Sequence, residues 1–215
     1  MVPLDWNHVR HVGRAMCFRR ASASGSRNRP PNPYVLGGMT EALPSSVTFE
    51  TELGRCAVRW SDAGITGVLL PKTGGTSGPA FEEGASVPRF VAEAITGIQA
   101  VMAGEARDLR SVPLDERGID GFRRSVYAAT RAIPAGTTRS YGEVAKAIGR
   151  VDHEAARDVG AALARNPFPI LVPCHRVVAA NDALTGFSAP GGLATKRRML
   201  ELEGTPGYGQ QLLFG

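Results

Sequence analysis

Cysteine is scarce in this chain: Cys17, Cys56 and Cys174 are the three in 215 residues. An odd number, far apart and without metal-type pairing, excludes a disulfide scaffold and points to a reducing compartment. Long apolar runs are missing too. None approaches the roughly 20 residues that span a bilayer, and the N-terminus lacks the apolar segment of a secretory signal. No membrane partner is expected. Acidic residues are nearly absent from residues 1–38, which hold six Arg and one Asp. With Ser/Arg/Pro/Asn runs from Ala21 to Pro33 and no sustained periodicity, this stretch reads as a disordered basic tail. Its composition weakly resembles an organelle transit peptide. An extension read from an upstream start, with the working chain beginning near Met39, fits as well.

What is present is unevenly placed. Residues 39–120 hold seven basic and twelve acidic residues, and residues 121–200 hold twelve basic and five acidic. A basic surplus of this kind favours a polyanionic partner, nucleic acid first. A solvated Arg-rich surface is the plain alternative.

The length suits one large domain or two small ones. Val47–Glu52, Arg55–Trp60 and Ile65–Leu70 read as strands of a meander, separated by short Gly-containing turns. A Gly/Thr/Pro-rich loop follows. A helix then starts after Ser86, a candidate N-cap, with Pro88 in its first turn and Val91, Ile95, Ile98 and Met102 on one face. Residues 105–120 form a charged linker. Beyond it the pattern is helical. Phe122–Ile133 carries Phe122, Val126 and Ala129 on one side. Ser140 and Glu143 fit a capping box, and Asp152 or His153 opens a further helix through Arg165. Val159 and Leu163 form its apolar side. Ala155, Ala156, Arg157, Gly160, Ala161 and Ala164 lie on the other. Two short helices with a tight turn make a helix-turn-helix pattern. Small residues let a backbone approach another surface closely, and Arg neutralises phosphate or enters a groove. An Ala-rich packing helix is the competing reading. The predicted fold is therefore an α/β N-terminal domain (39–110, a small antiparallel sheet plus a helix) and a mostly α C-terminal domain (120–206) with the helix-turn-helix. A short tail, 207–215, ends the chain.

The strongest chemical signal is Pro173-Cys174-His175-Arg176. It follows Ile170–Val172, which reads as a short buried strand delivering Cys174 at a bend. Cysteine attacks as the thiolate, and a neighbouring imidazole can take its proton, directly or through a water. The sulfur is expected to be ionised at rest by that neighbour. A last helix runs from about Leu193 to Leu202. Glu203 at its C-terminal end opposes the macrodipole, so either solvent or a cationic partner holds it.

Ser140-Tyr141-Gly142-Glu143, Arg157 with Gly160, Asn166-Pro167, Pro173-Cys174-His175-Arg176-Val177-Val178, Gly191-Gly192-Leu193-Ala194, Lys196 and Glu203-Gly204 together resemble the O6-alkylguanine-DNA alkyltransferases. The match is close over about 120–204 and looser from about 45. The resemblance implies direct reversal of O6-alkylguanine in double-stranded DNA, with O4-alkylthymine as a further candidate substrate. It implies an irreversible, single transfer to Cys174 by a protein acting as a monomer. It makes His175 the base, acting through a water, Glu203 its orienter and Asn166 the brace of the turn. Arg157 becomes the finger that fills the space of the extruded nucleotide, on a recognition helix that also presents Ala156, Gly160 and Arg165. Tyr141 would donate to the flipped guanine, and the carbonyls of Cys174 and Val177 would accept from its exocyclic amine. Phe187 would wall the pocket and the amide near Ser188 would contact O6.

Departures are visible as well. Phe187 stands where Tyr is frequent, and Ala189-Pro190 looks like a two-residue insertion. Within 39–120, Cys56 has no His to share a metal with, so no structural zinc and no cofactor are expected. The localisation implied is cytoplasmic, of bacterial type, with nuclear or organellar placement left open. Two rival readings stand beside this one. One is a cysteine hydrolase with a Cys-His-acid triad. The other is a module that binds alkylated DNA without reacting, against which Cys174 argues. A metal site at Cys174-His175 is disfavoured because adjacent ligands fit poorly.

Overall fold

A computed structural model of the chain describes residues 45–72, 80 and 86–209. The tail 1–38, Cys17 and residues 210–215 lie outside them. The described residues belong to one compact unit, and none of its helices is long and apolar enough to cross a membrane.

Three antiparallel strands form a meander in chain order: β1 (Ser46–Phe49), β2 (Cys56–Ser61) and β3 (Gly64–Leu69). Val47 faces Val58, and Val58 faces Val68, so β-branched residues stack across the sheet as their pleat preference favours. The second turn needs glycine. Gly64 has φ +148, and a Cβ there would sit 2.7 Å from the Pro113 carbonyl oxygen. That close approach lets the 105–120 segment pair with β3: Ile65 N–H donates to Pro113 O (2.9 Å) and Asp115 N–H to Ile65 O (2.8 Å).

The first helix, α1 (Arg89–Met102), buries all four of the residues expected on its apolar face. Its start differs from expectation. Pro88, not Ser86, is the N-cap, without a side-chain cap. Proline has no N–H to satisfy there, and its carbonyl accepts from Val91 and Ala92.

In the second half, α2 (Gly121–Arg131) is capped by Asp120. The predicted box caps α3 (Tyr141–Ala147) from both directions, Ser140 Oγ with Glu143 N–H and Glu143 Oε2 with Ser140 N–H. The next helix, α4, spans Ala155–Leu163, starting later than Asp152 or His153. Asp152 is engaged by Arg150 (2.6 Å) and lies two residues before Glu154, the N-cap of the helix. Ala155 is buried rather than on the small-residue surface. At the other end, Asn166 N–H bonds Leu163 O and Arg165 N–H bonds Ala162 O. These i→i+3 bonds tighten the last turn before Pro167. Two-residue strands β4 (Arg139–Ser140) and β5 (Val177–Val178) pair in parallel, and α5 (Gly192–Leu202) is the last helix among the described residues.

One apolar core joins the halves. Ile65 and Ile95 belong to the same buried cluster as Val126, Val159 and Phe168, and Tyr127 meets Phe168 edge-on with ring centres 6.3 Å apart. Each fully buried residue of this size stabilises by about 1.5–3 kcal/mol relative to exposure.

Candidate active site

The strand expected at Ile170–Val172 is a buried turn. Pro167, Pro169 and Pro173 supply no N–H, so a ladder cannot form across this segment. Val172 N–H instead closes back on Phe168 O (2.7 Å), and Ile170 takes φ +73, an uncommon conformation for a β-branched residue. Asn166 holds the turn from both ends, its Nδ2 donating to Val172 O (2.8 Å) and its Oδ1 accepting from Phe168 N–H (2.9 Å). The turn is anchored to the sheet through Val68 N–H and Pro167 O (2.9 Å).

It delivers Cys174–Arg176 as one turn of 3-10 helix. Cys174 is half-buried, while His175 and Arg176 are buried. Behind the ring stands Glu203, at the C-cap of α5. His175 Nε2 lies 2.8 Å from Glu203 Oε1. Arg176 grips the same carboxylate with two bonds, Nε to Oε2 (2.9 Å) and Nη2 to Oε1 (2.8 Å), and donates Nη1 to Ile133 O (2.6 Å). The unfavourable helix-end acid thus has its cationic partner. Burial acts to raise the Glu203 carboxyl, but His175 and Arg176 outweigh it and hold the group at about 2. Burial lowers His175, opposed by Glu203. A neutral ring gives its Nε2 hydrogen to the ionised carboxylate. Its Nδ1 has no protein partner, so that lone pair is available to accept a proton.

Burial also pushes the Cys174 thiol up, against pulls from the Asn166 side chain, Lys196 and the backbone N–H groups of Cys174 and His175. That direction runs against the resting thiolate expected from the neighbouring imidazole.

Lys196 is fully buried, its Nζ donating to Val177 O (2.6 Å), Thr185 O (3.0 Å) and Tyr141 Oη (3.5 Å). Burial lowers it to about 8, and the nearby Cys174 sulfur pulls the other way. None of these three hydrogen-bond acceptors is a carboxylate, so a thiolate at Cys174 would supply the missing counter-charge. Sequence reasoning placed Lys196 only in a motif. Its spacing of three and four residues before the buried Met199 and Leu200 marks it as an inward position.

In front of the sulfur lies a cavity of about 810 Å³, lined by Tyr141, Ala156, Arg157, Gly160, Asn166, Cys174, Phe187 and Ser188 among others. Eight expected residues thus meet on one surface. Val68, Leu69 and Leu70 of the sheet supply a wall that sequence reasoning did not foresee. Val177 is buried with its carbonyl engaged by Lys196. Arg165 is exposed and outside the lining. Ser188 Oγ donates to Ala164 O (2.8 Å), tying the 185–190 loop to the end of α4. The loop's far end requires Gly191: at φ +80, its Cβ would stand 2.2 Å from Thr195 Oγ1.

Comparison with known proteins places this geometry. Residues 121–205 match the family model described as 6-O-methylguanine DNA methyltransferase, DNA binding domain. The methylated-DNA–protein-cysteine methyltransferase of Mycobacterium leprae is 46% identical over 178 residues, covering 83% of this chain and 90% of that protein. The protein of the same name from Methanosarcina acetivorans is 46% identical over 116 residues, 54% of this chain and 70% of the relative. Among solved structures, Mycobacterium tuberculosis OGT in complex with DNA superposes with a TM-score of 0.58 at 35% identity, covering 74% of this chain and 92% of that one. The O6-methylguanine-DNA methyltransferase of Pyrococcus kodakaraensis gives 0.54 at 26% identity, covering 74% and 99%.

Proposed function

Because the chain belongs to the methylated-DNA–protein-cysteine methyltransferase family, we propose that Cys174 is the residue that takes the alkyl group from O6-alkylguanine in DNA. The observation that carries this assignment is one juxtaposition. Cys174 lines a cavity shared with the Arg157-bearing helix, while a His175–Glu203 pair stands behind the sulfur.

The chemistry follows from the charges. The Cys174 proton passes through a water to Nδ1 of neutral His175, and Glu203 balances the imidazolium. The thiolate, facing the buried Lys196, attacks the alkyl carbon. The S–C bond forms as the C–O6 bond breaks. Tyr141 donates to the leaving guanine, and the proton lost from sulfur ends on the base, so alkyl group and hydrogen have exchanged places. The carbonyls of Cys174 and Val177 orient the exocyclic amine, the amide near Ser188 faces O6, and Phe187 walls the ring. A thioether does not hydrolyse, so each molecule acts once.

Reaching the base requires extrusion of the nucleotide. We read α3 and α4 as a helix-turn-helix, with Ala156, Gly160 and Arg165 on its DNA side and Arg157 filling the vacated stack. Arg150 pins the connection, bonding both Asp152 and Asp158 and lying 5.6 Å over the Phe122 ring. The family match over 121–205 supports 120–206 as the DNA-binding alkyltransferase part, and we read 39–110 as its α/β support. The protein acts as a monomer on duplex DNA, and affinity falls with salt as phosphate neutralisation requires. Excess O6-methylguanine duplex tests the reading. One equivalent of methyl transferred per protein is expected, and sustained product release would instead indicate a hydrolase.

A further inference from the structure

The arginine assigned to the DNA stack is already engaged. Arg157 Nη2 donates to Glu154 Oε1 at 2.5 Å, three residues earlier. Glu154 occupies the N-cap position of α4, yet its side chain makes no capping hydrogen bond. Both side chains are largely exposed, 74% for Arg157 and 51% for Glu154. The carboxylate therefore neither starts the helix nor fills the core. Its acidic neighbours, Asp152 and Asp158, are bound to Arg150, and His153 stands 3.9 Å from the same Glu154 oxygen. A carboxylate at this edge of the DNA face is repelled by approaching phosphates. It must also release Arg157 before the guanidinium can enter the stack.

We propose that Glu154 is a positioning residue for nucleotide extrusion: it latches Arg157 to the surface of α4 in the free protein and yields it on DNA. This rests on the reading of Arg157 as the finger. An exposed pair is weak and screened by salt, which suits a latch that DNA must open.

The test uses the full chain with Glu154→Gln, and Glu154→Ala as a second variant. Single-turnover repair of an O6-methylguanine duplex is compared with reaction of free O6-benzylguanine, which needs no extrusion. The ratio of duplex rate to free-base rate is expected to rise roughly two- to fivefold, the factor an exposed ion pair commands, and to shrink at high salt. Fluorescence of 2-aminopurine placed beside the lesion should rise faster by a similar factor. In an Arg157→Ala background the gain should vanish. An unchanged ratio, or an equal gain in both backgrounds, overturns the latch, the second outcome leaving Glu154 with general repulsion alone. Absence of methyl transfer from the duplex in the unaltered protein would instead sink the proposed function itself.

Discussion

Two cysteines with different surroundings separate the sheet from the turn that carries Cys174. Cys56, at the start of β2, is fully buried with the Thr51 hydroxyl 3.7 Å away, and burial pushes its thiol up to about 11. Cys174 is pushed up as well, but Asn166, Lys196 and two backbone N–H groups oppose the shift, a cavity opens in front and a base stands close by. The contrast extends to whole regions. The sheet and α1 bury apolar side chains, Cys56 and Thr48, whereas His175, Arg176, Lys196 and Glu203 are all buried within residues 174–203. A thiol becomes a nucleophile through the groups that stabilise its anion and receive its proton. Candidates for such groups lie within residues 174–203 and not in the sheet.

The most forceful way to break the comparison is to remove each sulfur. Cys174→Ala should abolish transfer while duplex binding persists in a gel-shift titration. Cys56→Ala should leave one-equivalent transfer intact and cost about 1 kcal/mol of stability for the lost buried sulfur, read by urea denaturation.

Glu203→Gln comes next. It removes the carboxylate behind the His175 ring and leaves Arg176 buried without a counter-charge. Transfer should slow on the order of 100-fold, with its pH profile displaced upward, and stability should drop by about 3–5 kcal/mol. Glu203 sits at about 2 in the fold, below its ordinary 4.5. Its contribution is therefore complete above about 4.5 and disappears as pH falls toward 2. Thermal melts of wild type and variant should converge over that interval; a constant gap would remove Glu203 from the buried pair.

Arg157→Ala should slow duplex repair on the order of 10- to 100-fold, because the finger offsets a few kcal/mol of unstacking. Reaction with free O6-benzylguanine should fall far less, and equal slowing of both contradicts the finger. Asn166→Ala loses two bonds that close the proline-rich turn, a cost of about 1–3 kcal/mol, with a parallel fall in transfer rate. At the small end, Arg89→Ala removes an exposed pair with Glu93 on the sheet side and should change stability by no more than about 0.5 kcal/mol.

The two regions also differ in how far the sequence discloses them. The short Gly-containing turns between Val47 and Leu70 mark the strand breaks and the 3–4 spacing of Val91, Ile95, Ile98 and Met102 reports burial directly, so the meander and α1 were legible to within a few residues. The capping box at Ser140 was legible because it is a local exchange of hydrogen bonds. Ile170–Val172 misled because an apolar run reports burial without reporting backbone, and here prolines on both sides forbid a ladder. Arg176 and Lys196 carry charge, and charge reads as surface unless the buried partner is known. Arg176's partner lies 27 residues away and Lys196 bonds backbone carbonyls. The wall from Val68 to Leu70 depends on the packing of β3 against Pro167, a tertiary contact no local pattern encodes. Motif resemblance brought Cys174, His175, Glu203 and Asn166 together ahead of the structure. The balance of burial against Asn166 and Lys196 around the sulfur needed the structure, since it depends on how deeply the turn is enclosed.

The central claim is that alkyl transfer ends on one sulfur, chosen by its surroundings. Incubating the protein with excess O6-methylguanine duplex, then digesting it and weighing the peptides, tests this most directly. The account predicts that the peptide holding Cys174 gains a single methyl in place of its thiol hydrogen, while the Cys56 peptide keeps its mass. Methylation at Cys56, or no mass change at Cys174 despite loss of the lesion, would contradict it.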